Sequence, residues 1–187
     1  VDINVATTLN VDGDSQLTGA VTVGVDDTGH DVTFYGAAAG ALMLWDQSED
    51  ALLVRGATAD HATTSAGRIV LQTNQAAVAD GDRIGQIDFN APLETQGSDA
   101  ILAGAAIWAE ADATFTASVN NTELVFATAT TTVAAEKMRL DSGGQLGINT
   151  ATPAYLLDVQ GTVGITGAST MIGALTVGVD GTGHDVQ

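Results

Sequence analysis

The chain has 187 residues, with 23 acidic against 5 basic side chains, a formal net charge of −18, 45% hydrophobic but only 4% aromatic residues, and no cysteine. That charge makes a nucleic-acid backbone or an anionic membrane surface a poor partner, and the missing cysteine excludes disulfides and thiolate metal sites. No apolar run approaches the ~18 residues that cross a bilayer, and with neither a basic leader nor an apolar h-region the chain reads as a mature or internal piece of something longer.

Gly 22 against Pro 2, with abundant threonine, predicts many short strands joined by tight turns. From Val1 to about Gly36 the pattern runs in short beats. Val21, Val23 and Val25 share one face, and Val32 and Phe34 resume the alternation after the Asp26-Asp27-Thr28-Gly29 turn. Ala41 to Trp45 and Ala51 to Arg55 are apolar strands bracketing the polar turn Asp46 to Asp50, which predicts a β-hairpin. Asp at strand ends and turns keeps long assemblies soluble by opposing edge-to-edge association.

A polar Ala/Thr-rich stretch, Gly56 to Gly67, marks a boundary. Longer strands are expected beyond it, at Arg68 to Thr73, Arg83 to Asn90, Ala100 to Glu110, Ala113 to Val119, Thr122 to Thr130 and Glu136 to Leu140. The intervening turns are Ala79 to Asp82, Gln96 to Asp99 and Asn120-Asn121. Ile87 and Phe89 face one way while Gln86, Asp88 and Asn90 face the other, the pattern of a sheet wet on one side. Strands of this kind predict a small antiparallel sandwich.

After Leu140 the beat shortens: Asp141 to Gly144 turns into Gln145 to Ile148, then Tyr155 to Val159, then Gly161 to Ile165. Here the chain begins to repeat itself. Gly19-Ala-Val-Thr-Val-Gly-Val-Asp-Asp-Thr-Gly-His-Asp-Val32 returns as Gly173-Ala-Leu-Thr-Val-Gly-Val-Asp-Gly-Thr-Gly-His-Asp-Val186, identical at 12 of 14 positions with an offset of 154. Leu9 to Gly19 is echoed by Leu157 to Gly167 at an offset of 148, so the second copy carries one extra six-residue segment, Ala168 to Gly173. One period of a tandem array plus the start of the next is the economical reading.

Thin segments with one or two inward Val or Ile per rung bury too little surface alone, and three chains around one axis solve this. The expected fold is therefore all-β, an elongated trimeric fibre of short β rungs (β-prism or triple β-helix-like) flanking a small antiparallel β-sandwich knob. Residues 1–60 form the shaft repeat and hairpins, 61–140 the knob, and 141–187 the linking hairpin and the start of the next shaft repeat. Val23 and Val177, equivalent in the two copies, are expected to point at the trimer axis.

The run Glu136-Lys-Met-Arg-Leu-Asp-Ser-Gly-Gly-Gln-Leu-Gly-Ile-Asn-Thr-Ala-Thr-Pro-Ala-Tyr-Leu-Leu-Asp-Val-Gln-Gly161 resembles a segment common in bacteriophage tail fibres, where it joins a β-rich domain to the following shaft or tip. Arg68-Ile-Val-Leu-Gln-Thr73 with Asp82-Arg-Ile-Gly-Gln-Ile-Asp-Phe89 is similar to the domain preceding it, and the Leu-Thr-Gly-Ala-Val-Thr-Val beats are similar to shaft repeats. The resemblance covers most of the chain. It implies a homotrimeric, extracellular virion appendage involved in host attachment, joined end to end with other fibre or tail proteins, with a host-surface glycan or protein left open as a partner. Nothing here matches the self-cleaving chaperone domain, with its Ser/Lys pair, that ends many such fibres.

Candidate sites are few. His30 with Asp31 and His184 with Asp185 occur in a repeated Thr-Gly-His-Asp, and a three-fold axis would present the imidazole three times to a transition metal. A turn histidine hydrogen-bonded to a carboxylate is the competing role. Asp12-Gly-Asp14, Asp26-Asp27 and Asp80-Gly-Asp82 could hold Ca²⁺ together with backbone carbonyls, but they lack EF-hand spacing and read as solvated turn carboxylates. No cofactor is expected. Glu110 and Asp112 share one strand face, the residue types of a glycoside hydrolase, but flanking alanines make them an exposed rim. Trp108, between Ile107 and Ala109, is expected to anchor the knob, and sugar stacking is conceivable for either tryptophan, Trp45 or Trp108. Without a nucleophile elbow, a zinc-protease motif or a phosphate loop, the chain reads as a structural spacer and not an enzyme. The rival reading is a repeat subunit of a bacterial extracellular adhesin or filament, in which Lys137 forms an isopeptide bond beside a buried glutamate; alternation puts Lys137 and Arg139 toward solvent instead.

Overall fold

The computed structural model describes residues 11–59, 63, 65–90, 102–170 and 172. The second copy of the repeat, with Val177, His184 and Asp185, lies outside them, as do the first ten residues and the expected turn at Gln96 to Asp99. Among the described residues the chain is all-β, and no helix is long and apolar enough to cross a membrane. It divides into two compact units, Val1–Val70 and Leu71–Gln187.

In the first unit, β1 (Val32–Tyr35), β2 (Leu42–Asp46) and β3 (Ala51–Arg55) form an antiparallel sheet in that order. The β2–β3 hairpin forms where the sequence places it. The Asp46 carboxylate closes its turn, accepting from the Ser48 amide at 3.0 Å, the Ser48 hydroxyl at 2.7 Å and the Glu49 amide at 3.3 Å. The Ser48 hydroxyl bond is the main cause that lowers the Asp46 carboxyl below its usual value. Cross-strand register stacks Val32, Trp45 and Leu52, then Phe34, Met43 and Val54, on one face. The Val21 to Val25 beat forms no ladder; Val25 and Thr28 alone pair across a tight turn, at 2.9 and 3.2 Å.

The second unit is a six-stranded sheet in sequence order: β4 (Arg83–Phe89), β5 (Ala105–Ala111), β6 (Thr122–Thr128), β7 (Ala135–Leu140), β8 (Leu146–Ile148) and β9 (Leu157–Val159). Neighbours are antiparallel except β8 and β9, which run parallel. The linking residues after Leu140 thus continue the sheet of the strands before them.

Three expectations are corrected. The knob strands lie in one sheet, not in the two packed layers of a sandwich. Ala113 to Val119 is a loop: the Phe115 amide donates to Val78 O at 2.9 Å, the Thr116 amide to Val119 O at 2.9 Å, and the Ser118 amide to the Thr116 hydroxyl at 3.3 Å. Its Thr and Ser side chains offer the backbone local partners that compete with a ladder. Arg68 to Thr73 also joins no ladder, although Leu71 lies against Gly85 of β4; Ile69 and Val70 remain well exposed.

Candidate functional site

Two β-bulges decide what the second sheet carries on each face. Between β4 and β5 the register passes from Arg83 opposite Glu110 to Gly85 opposite Ala109, skipping Ile84. Between β6 and β7 it passes from Phe126 opposite Met138 to Ala127 opposite Glu136, skipping Lys137. Each extra residue reverses the alternation from that point on. Arg83 therefore shares a face with Gln86, and Glu136 with Arg139, although three residues separate each pair.

The outcome is a polar ladder on the covered face, around Trp108 and Val125. The Trp108 indole N–H donates to Glu110 Oε2 at 2.9 Å, and the Arg83 guanidinium carbon sits 3.9 Å from the centroid of the Trp108 ring. Arg83 also lies 3.9 Å from Glu110 and donates to Gln86, which donates to Asp88 at 2.6 Å. On the other side, Arg139 grips Glu136 through Nε and Nη2, both at 2.6 Å, and donates from Nη1 to Glu123 at 2.5 Å. Gly147 stands opposite Arg139 across β7–β8, and its missing side chain leaves room for the Thr150 carbonyl oxygen.

Glu123 is the buried charged residue of this group, 4% exposed. Burial pushes its carboxyl up to about 7 against the pull of Arg139, and the nearby Asp112 and Glu110 carboxylates push the same way. Glu136 occupies two arms of the Arg139 fork, the first cause holding that guanidinium above its usual range, and one arm is left for Glu123.

The expected site residues separate in space or in role. Glu110 serves Trp108 and Arg83, whereas Asp112 accepts from the Ser142 amide and hydroxyl. The Asp31 carboxylate accepts the Gln47 amide at 3.0 Å, and His30 is exposed beside it. Among the described residues no three His, Cys, Asp or Glu side chains are grouped to hold a metal ion. Trp108, 6% exposed, is indeed in the core. Arg139 is not solvated as alternation suggests, because the bulge brings Glu136 to it; Lys137, the skipped residue, is exposed. Sequence reading missed Glu123 altogether. The one available signal was its place at the head of a strand whose next four residues, Leu124 to Ala127, are all apolar.

The opposite face has the reverse character. Its ladder positions, Ile87 and Phe89 of β4, Leu124 of β6, Leu140 of β7, Ile148 of β8 and Leu157 of β9, are 37% to 59% exposed. Ile107, Phe126 and Met138 continue the same surface, and none of these positions is ionisable. Comparison with protein-family models and with curated proteins finds no match to this chain.

Proposed function

We propose that the chain is a structural segment of a trimeric bacteriophage tail fibre, an extracellular virion appendage that spaces or presents a host-attachment element without catalysing a reaction. The observation that supports this reading is the open face of the β4–β9 sheet. A contiguous apolar face of this extent is the kind of surface that marks association. The chain carries −18 overall, yet the ladder positions of this face carry no charge, so copies meet there without apposing carboxylates. The 154-residue recurrence gives the array its length, since each stacked unit contacts its neighbours and needs no single large core.

Native mass measurement tests it: three chains are expected, and a stable folded monomer ends the reading. Deleting one full period from the parent protein should shorten the fibre in electron micrographs by a fixed increment. Unchanged length, or hydrolysis of host polysaccharide that disappears with Glu110→Gln, would show a role other than spacing.

A further inference from the structure

We propose that the cavity beside Trp45 in the first unit binds a neutral saccharide. The cavity is about 490 Å³, within the usual range of small-ligand sites. Trp45, 44% exposed, lines it from β2. Asp26 and Asp27 reach it from the Val25–Thr28 turn, and Gln47 and Asp50 from the β2–β3 turn.

The acidic residues here divide into two kinds. Asp31 and Asp46 are spent on backbone amides: Asp31 ties the second turn through the Gln47 amide, and Asp46 closes that turn on itself. Asp26, Asp27 and Asp50 make no hydrogen bond or ion pair among the described residues. Two pre-formed turns thus hold three uncommitted carboxylates and one amide around an exposed indole.

This combination matches one ligand chemistry better than its rivals. A sugar ring presents an apolar C–H face for the indole and a rim of hydroxyl donors for carboxylates, bonds strengthened by the charge of the acceptor. Gln47 both donates and accepts, the mixture that hydroxyl groups need. A uronic acid or other anionic sugar is repelled by three carboxylates. An organic cation would be drawn to them, but Trp45 is the one aromatic residue in the lining, an open platform and not a cage. The inference does not rest on the trimeric fibre reading, because every lining residue belongs to one chain.

Titration calorimetry on the full chain, with a neutral glucose tetrasaccharide, a neutral N-acetylglucosamine tetrasaccharide, a uronic-acid tetrasaccharide and ethanolamine as probes, decides the question. At least one neutral sugar should bind and outcompete the uronate and the amine. Trp45→Ala should weaken that binding about tenfold or more, as expected for the loss of an aromatic anchor. Trp45→Phe should retain part of it. Asp50→Asn keeps the left-handed backbone at φ 49° while removing a charged acceptor, and should also weaken binding. If Trp45→Ala fails to fold, the Phe and Asn variants carry the test. Absence of binding by either neutral sugar, preference for uronate or amine, or affinity unchanged in Trp45→Phe and Asp50→Asn overturns the proposal. Native mass on the same samples keeps the two readings apart: a sugar-binding monomer removes the fibre and leaves this site, whereas a trimer without sugar binding removes this site alone.

Discussion

Glu123 and Glu110 stand directly opposite each other across the β5–β6 ladder, two carboxylates side by side on the covered face of the sheet. Like charges in such a pair are destabilising, and the sheet answers with separate partners: Trp108 and Arg83 for Glu110, Arg139 for Glu123.

Burial of Glu123, with the Asp112 and Glu110 carboxylates adding to it, makes stability depend on pH in a direction opposite to the usual carboxylate. The Glu123 carboxyl is raised from 4.5 to about 7, so the folded chain binds its proton more tightly than the unfolded chain. Its contribution is complete below the unfolded value and is lost as pH rises through the folded one. Thermal melts from about pH 5 to about pH 8 should show a loss on the order of 1–3 kcal/mol that is absent in Glu123→Gln. A parallel pH profile in both proteins would remove Glu123 as the titrating group.

Removing Arg139 should be far more damaging than removing Lys137, although the two are separated by one residue. Arg139→Met leaves Glu123 buried and Glu136 without its partner, a loss of about 3–5 kcal/mol. Lys137→Ala at the exposed bulge should stay within about 0.5 kcal/mol. Equal losses in chemical denaturation would show that the ion-pair network is not what holds β6 to β7 here.

Gly147 is fixed by space and not by backbone angle. A Cβ there would sit 2.5 Å from the Thr150 carbonyl oxygen, a backbone atom that cannot step aside, and 3.6 Å from the Arg139 stem. Gly147→Ala should therefore cost about 1–3 kcal/mol and loosen β8, read as faster amide exchange at Ile148 and Asn149. Unaltered exchange would place the crowding elsewhere.

A charge on the open face separates a monomer from an assembly. Ile87 is 49% exposed within one chain, so Ile87→Asp should change the stability of an isolated chain by less than about 1 kcal/mol. In a trimer closed on this face, it buries one carboxylate per copy in an apolar layer, at several kcal/mol or more in total. Native mass of the variant should shift from three chains to one, and retention of the trimer at unchanged melting temperature would move the interface to another surface.

Local alternation and turn chemistry were legible in the residues themselves. The β2–β3 hairpin, the strand cores of β4 to β7 and the burial of Trp108 follow from apolar periodicity, polar turns and the rarity of indoles. Even a strained turn is readable in the repeat: Asp27 adopts φ 63°, and the copy 154 residues later has Gly181, the residue that takes this conformation freely. Other features needed the folded chain. Periodicity divides Ile87 and Phe89 from Gln86 and Asp88 but does not say which side is covered, because that depends on the segments packed against the sheet. Strict alternation also puts Glu136 with Met138 and away from Arg139. One extra residue at Lys137 reverses that parity, and the choice of where to bulge is made by pairing with β6, a partner whose register no window of sequence around Glu136 contains.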